Sequence, residues 1–285
     1  MNDQNVVSCI DGSTFTEAVC DYSAWMAKGT NAPLKFLHTV EQSSTPAVAD
    51  LSGAIGLGAS EDLLNELTEV EQSRSRLLVK KGNLMLQAAK KKAEDAGVHT
   101  VELRQQKGGL AESLIEMEEQ IRVLVVGIRG TAHDSGRAGL GAQLETVIRS
   151  LHKPILVVNK EFSKPEKIML AFDGSKGSRK ALEIVASNPL FKSTPCHLVH
   201  VGDQTDVADK LLEEAADVLR AAEIETTTAR LSGKTENSLA AYQSEQNIDL
   251  TLMGAFSHTR VRDFILGSFT AKMLQKTQRP LLLLR

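Results

Sequence analysis

The chain has 285 residues, 42% of them hydrophobic and 24% charged, and carries a net charge of −3. That length suits two cores better than one, and so small a net charge supplies no field for a polyanion, which excludes nucleic acid as a partner. The N-terminus runs into a short apolar strand without a basic n-region or a long apolar segment, so no membrane is expected and the predicted location is cytoplasmic.

The first predicted element is a strand near residues 5–10, followed by Asp11-Gly12-Ser13 and a helical stretch. A second strand near 34–40 contains LKFLH, which ends at His38. Next comes the glycine-rich SGAIGLGAS, whose GLG neither completes GxGxxG nor follows a strand and is therefore no dinucleotide fingerprint. Leu63, Leu67, Val70, Leu77, Leu84 and Ala88 then recur at three-, four- and seven-residue spacings. They predict one long helix or a helix pair, with this stripe packed on its own domain and a partner or dimer surface as the alternative. Strands near 100–105, 122–127 and 155–159 complete the first half. The polar run from Asn159 to Pro165 reads as a linker between domains.

The second half repeats the first. Asp173-Gly174-Ser175 and His200 lie 162 residues beyond Asp11-Gly12-Ser13 and His38, whereas Gly267 and Pro280 lie 126 residues beyond Gly141 and Pro154. The first half therefore carries 36 extra residues after His38, placed at about 42–80. Strands fall near 167–172, 196–202, 226–231, 249–254 and 280–284. Apolar strands alternating with amphipathic helices predict an α/β fold: two tandem open parallel five-stranded sheets, order 3-2-1-4-5, with helices on both faces. The domains are 1–160 and 165–285. The apolar final strands, Pro154 to Val158 and Pro280 to Leu284, form the expected seam, because an uncovered edge of four leucines would invite aggregation. Cys9, Cys20 and Cys196 are odd in number and scattered, which reads as reduced structural thiols rather than a metal site or a disulfide.

Open parallel sheets bind ligands beyond the carboxyl ends of the strands, where the strand order reverses. In this order that crevice lies between strands one and four. After strand one comes the DGS triplet, and after strand four come Gly127-Ile128-Arg129-Gly130 and Gly254-Ala255-Phe256-Ser257. Each of these loops runs on to a second glycine that opens a helix, Leu140-Gly141-Ala142 or Leu266-Gly267-Ser268. Glycine lets the backbone approach an anion, and a helix N-terminus favours negative charge, so the pattern is suited to phosphate. Arg129, His133 and Arg137, with His258, Arg260 and Arg262 in the second half, offer positive charge or are simply solvated. Asp11, Ser13, Asp173 and Ser175 read equally well as helix caps. His38 and His200, without a nucleophile or carboxylate at a catalytic spacing, read as hydrogen-bonded core residues.

The repeated DGS together with the G-x2-G-x9-G-[ST] spacing resembles the universal stress protein family in its tandem form. The resemblance covers the chain apart from the insertion. It implies a stress-response regulator that binds ATP or a related adenine nucleotide, with Mg, and in which the ligand shifts packing between the domains. By position it assigns Asp11 and Asp173 to ribose or metal, the Thr39-Val40 and Val201-Gly202 regions to adenine, and Gly127, Gly130, Gly141, Gly254, Ser257, Gly267 and Ser268 to phosphate. Both halves depart from the motif. Ser257 replaces a glycine, which costs about 1–2 kcal/mol if the position needs positive φ. In the first half the gap from Thr131 to Leu140 is one residue too long and Ala142 replaces the hydroxyl residue, a loss of about 0.5–1.5 kcal/mol. The second half is thus the favoured site.

No GxxxxGK[ST], no pyrophosphatase loop and no spaced carboxylate pair is present, so the chain reads as a non-enzyme with no catalytic residues. A ligand-free assembly module and a slow nucleotide hydrolase are the alternatives. The expected partners are the nucleotide and a protein of unknown identity. The two domains pair within the chain, and a homodimer of such chains stays open.

Overall fold

The computed structural model describes residues 4–40, 59–130, 142–203, 205–254 and 268–285, with side chains in the helix beginning at residue 59 described from residue 65 and those of residues 142 and 268 not described. The strands are β1 (Asn5–Cys9), β2 (Leu34–Val40), β3 (Val101–Lys107), β4 (Ile121–Gly127), β5 (Ile155–Val158), β6 (Ile168–Ala171), β7 (Cys196–Val201), β8 (Thr226–Leu231), β9 (Leu250–Gly254) and β10 (Leu281–Leu284). The helices are α1 (Thr16–Thr30), α2 (Ala59–Asp95), α3 (Leu110–Glu116), α4 (Ala142–Ser150), α5 (Lys176–Ser187), α6 (Asp206–Ala221), α7 (Thr235–Glu245) and α8 (Ser268–Lys276).

Each half has the expected order 3-2-1-4-5, but the two sheets are one. The strands form a single ten-stranded sheet, β3-β2-β1-β4-β5-β10-β9-β6-β7-β8. The join is the predicted seam: β10 pairs antiparallel with β5, with Leu281, Leu282 and Leu283 opposite Val157, Leu156 and Ile155. The strand sequences explain the two-sided burial. Along β10 all four leucines are buried, yet they alternate in direction, Leu282 and Leu284 entering one core layer and Leu281 and Leu283 the other. The first layer is closed by α1, α2, α5 and α6. The second is closed by α3, α4, α7 and α8. Both layers run across the join, so the halves share their cores.

The linker adds to that join. Phe162 packs edge-on against Tyr22 of α1 with ring centroids 4.8 Å apart, and the Tyr22 hydroxyl donates to the Ser163 carbonyl at 3.3 Å. The Asn159 amide donates to the Thr277 carbonyl at 2.9 Å.

Helix α2 corrects one expectation. The stripe read from the sequence does not pack on the domain: Val70, Leu77 and Leu84 are 59%, 67% and 64% exposed. Leu63 lies outside the described side chains, and most of SGAIGLGAS lies outside the described residues. The packed face is Leu86, Ala89 and Ala93, and at the 126-residue offset these match Leu212, Ala215 and Leu219 of α6. The last turns of α2 are thus the counterpart of α6. The seven-residue repeat runs along the far side of the helix, about 150° around from that face, because the packed side is set by the sheet and not by the longest apolar series.

Cys9, Cys20 and Cys196 are buried free thiols. Burial pushes Cys20 and Cys196 up to about 12, and pushes Cys9 up as well. Since the thiolate is the reactive form, native protein is expected to take up no maleimide at neutral pH, and all three cysteines are expected to label in denaturant. Fast labelling of the native chain would show that one of these core segments opens locally.

Candidate functional site

Strand β1 pairs with β2 on one side and β4 on the other. The chain leaving β1 turns into α1, which covers one face of the sheet. The chain beyond β4 returns through α4 on the opposite face. The carboxyl ends of β1 and β4 therefore diverge and leave a crevice, the feature expected where a parallel sheet reverses its order.

A cavity of about 410 Å³ occupies it, within the range of small-molecule sites. Asp11, Val40, Gly127 and Gly130, four of the five first-half residues assigned from the sequence, line this cavity together with Thr39. The fifth, Gly141, lies outside the described residues, as do His133 and Arg137. The Asp11 Oδ1 accepts from the Ser13 N–H at 2.9 Å and from the Thr16 hydroxyl at 3.3 Å. A Cβ built on Gly130 would stand 2.8 Å from Asp11 Oδ2, so the two loops meet across the crevice.

The sequence reading missed the wall that α2 contributes. Arg74, Leu78, Lys81 and Met85 also line the cavity. Met85 lies over the DGS loop, where a Cβ on Gly12 would meet its sulfur at 2.9 Å; Gly12 has φ +80, a conformation open to glycine. The second half repeats this arrangement: Gly174 has φ +74, and Leu211 of α6 sits 2.7 Å from its hypothetical Cβ. Leu211 is Met85 plus 126, so the repeat itself held the signal that α2 covers the site. Arg74 and Lys81 had no such signal, because α6 is shorter.

Among the described lining residues Asp11 is the one acidic group, set against Arg74, Lys81 and Arg129. The Arg129 Nε is buried without a hydrogen-bond partner in the described structure. A cavity with this balance favours an anion. His38, on the rim, is held by a bond from Nδ1 to the Ile10 carbonyl at 2.8 Å, and His200 makes the same bond to Phe172 at 3.0 Å. Each histidine therefore ties β2 or β7 to the end of the first strand of its own half.

In the second half, Asp173, Val201 and Gly254 stand at the carboxyl ends of β6, β7 and β9. Ser257, His258, Arg260, Arg262 and Gly267 lie outside the described residues, and Ser268 opens α8 without a described side chain. The Asp173 carboxylate accepts from the Ser175 N–H at 3.0 Å. Burial would raise its pKa, but the hydrogen bonds from Ser175 and Ser178 outweigh it and hold the group below the usual aspartate range. Ser175 caps α5, accepting from the Ser178 N–H at 3.3 Å. The first half differs, since Phe15 stands at the N-cap of α1 and supplies no side-chain cap.

The universal stress protein family profile matches residues 3–159 and again 165–285. The chain belongs to the universal stress protein family. Universal stress protein Slr1230 from Synechocystis sp. (strain ATCC 27184 / PCC 6803 / Kazusa) is 36% identical over 286 residues, covering 99% of this chain and 100% of that relative. Among solved structures, a universal stress protein from Archaeoglobus fulgidus DSM 4304 superposes with a TM-score of 0.70 at 19% identity, covering 99% of this chain and 96% of that one. A functionally unknown protein from Pseudomonas aeruginosa PAO1 superposes with a TM-score of 0.62 at 14% identity, covering 99% and 92%. These likenesses establish the fold along the whole universal stress protein tandem. Among the described residues, no helix is long and apolar enough to cross a membrane.

Proposed function

We propose that this universal stress protein is a stress-response regulator that binds ATP or a related adenine nucleotide in the first-half cavity, and that it acts by binding rather than by turnover. One observation carries this reading: the cavity at the β1/β4 crevice brings Arg74, Lys81 and Arg129 around a space whose other walls include Val40, Met85 and Leu110. Cations suit the phosphates, and apolar walls suit a base. The buried, unpartnered Arg129 Nε supplies a donor for an anionic oxygen.

Mg²⁺ fits the same arrangement. That ion needs few protein carboxylates when phosphates complete its shell, and Asp11 is the carboxylate at hand. Its role would be to neutralise phosphate charge. Turnover is disfavoured by how the polar groups are engaged, since Asp11 Oδ1 already serves the DGS turn and the His38 Nδ1 serves a backbone carbonyl.

The test is calorimetric titration with MgATP, repeated with ADP and AMP, on the wild type, Gly130→Asp and Gly267→Asp. The first substitution puts a carboxylate beside Asp11 and against the ligand. Loss of heat in Gly130→Asp with retention in Gly267→Asp is expected. The reverse outcome would place the nucleotide in the second half, which the glycine motif favours. No heat from any of the three nucleotides in the wild type would overturn the reading. Lys81→Met removes one charged contact from the same site and should weaken affinity by at least about tenfold, since a hydrogen bond to a charged group contributes roughly 1.5–3 kcal/mol.

A further inference from the structure

Helix α2 runs on where its counterpart α6 begins. At the 126-residue offset Asp206, the first residue of α6, matches Lys80, and the N-cap Thr205, whose hydroxyl accepts from the Ala208 N–H at 3.3 Å, matches Val79. Helix α2 reaches this point as an unbroken helix from Ala59, and its extra length brings Arg74 to the cavity. A helix extended past its usual start must be held there by contacts that the second half does not need.

Those contacts are built around Gly82. Glycine inside a helix is disfavoured relative to alanine, and it is found there where another group comes close. Gly82 is buried, and a Cβ built on it would overlap His38 Cδ2 and Gln105 Nε2 and stand 2.8 Å from His38 Nε2. The Gln105 amide also donates to the Val79 carbonyl at 3.2 Å, which ties the helix to β3. The His38 ring faces two ways. Its Nδ1 donates to the Ile10 carbonyl at 2.8 Å, since a carbonyl only accepts, and Ile10 immediately precedes Asp11. Its opposite edge lies on Gly82, the residue after Lys81, whose Nζ comes within 3.9 Å of a Cβ built on Gly12. The ring therefore stands between the Asp11 loop and the Lys81 turn. In the second half Ala208, Val207 and Leu231 take the places of Gly82, Lys81 and Gln105. His200 keeps its bond to the Phe172 carbonyl there, but its Nε2 lies 2.8 Å from a Cβ built on Gly202, next to its own strand.

We propose that His38 is a positioning residue of the first-half site: bonded to Ile10 and packed against Gly82, its ring fixes the spacing between the Asp11 loop and the α2 wall that carries Lys81. The effect on affinity rests on the nucleotide being bound in this cavity; the spacing itself does not.

The experiment is hydrogen–deuterium exchange of the full chain without ligand, read by mass spectrometry, on the wild type, His38→Ala and His38→Asn, beside MgATP titration of the same proteins. In His38→Ala the amides of residues 79–85 and the hydrogen-bonded amides of Gly12 and Ser13 should exchange about fivefold faster or more, the scale of one lost hydrogen bond. Strands β6 to β9 should keep their rates. His38→Asn retains an amide donor near the place of Nδ1 but has no ring to meet Gly82. Gly12 and Ser13 should then stay close to wild type while 79–85 exchanges faster, and this variant decides the matter if His38→Ala does not fold. His38→Ala should also lose MgATP affinity, and adding Lys81→Met should weaken it little further, because one change acts through the other. Unchanged exchange in both segments, an equal rise across the second half, or fully additive losses in the double variant would each overturn the proposal. A wild type that takes up no MgATP would remove the nucleotide reading alone, and the exchange rates would still decide whether His38 sets the two walls.

Discussion

Leu282→Asp is expected to uncouple the two halves. Leu282 is 2% exposed and sits opposite Leu156 in the centre of the β5–β10 pair, with its side chain in the core layer that runs from one half to the other. Losing the leucine costs about 2–5 kcal/mol. Burying an unpaired carboxylate adds several more. The total approaches the whole stability of an ordinary domain, about 5–15 kcal/mol, but it falls at one join. The single tryptophan, Trp25, lies in α1 of the first half and reports that half alone. In the wild type, urea transitions followed by Trp25 fluorescence and by far-UV circular dichroism should coincide. In Leu282→Asp they should separate, or the chain should fail to fold. Coincident transitions at an unchanged midpoint would show that the antiparallel pair does not bind the halves together.

Gly254→Ala is the second large effect, for a reason other than phosphate binding. A Cβ at this position would stand 2.5 Å from the carbonyl carbon of Gly177, 2.7 Å from its oxygen and 2.8 Å from the Ser178 nitrogen. All three atoms are backbone in the first turn of α5, so no side chain can rotate away. Overpacking by a methylene costs about 1–3 kcal/mol where side chains can adjust; here the end of β9 and the start of α5 must part, and the upper end of that range is expected. At the matching Gly127 the obstacles are Phe15 Cβ at 3.0 Å and the Arg129 carbonyl oxygen at 3.3 Å, so Gly127→Ala should lower Tm by less. Equal Tm values for Gly254→Ala and the wild type, with only ligand binding altered, would return this glycine to a purely phosphate-facing role.

That glycine shows where the sequence stops being legible. The run Leu250 to Met253 announces a buried strand, and its place in the repeat announces the crevice. What the motif could not reveal is that the space beside Gly254 is filled by a helix turn that lies 77 residues earlier in the chain. The apolar runs of β5 and β10 likewise foretold a seam, because buried strands need cover on their edges, yet they carried no sign that both sheets would merge. Helix α2 misled for a physical reason. Its longest apolar series, Val70, Leu77 and Leu84, repeats every seven residues and catches the eye, whereas the face that meets the sheet is made of Leu86 and two alanines, which a hydrophobicity count underweights. Arg74 and Lys81 were ordinary surface charges until the helix that carries them was seen beside Asp11.

The antiparallel join has a directional consequence. All strands of the first half run one way and all those of the second half run the other, so the loop at Asp11 and the loop at Asp173 open at opposite rims of the molecule. No single small molecule can bridge them. Each half samples solvent on its own side, and the sheet route from one site to the other runs sideways through six hydrogen-bonded strands, β1, β4, β5, β10, β9 and β6, across the leucine ladder where Leu156 meets Leu282.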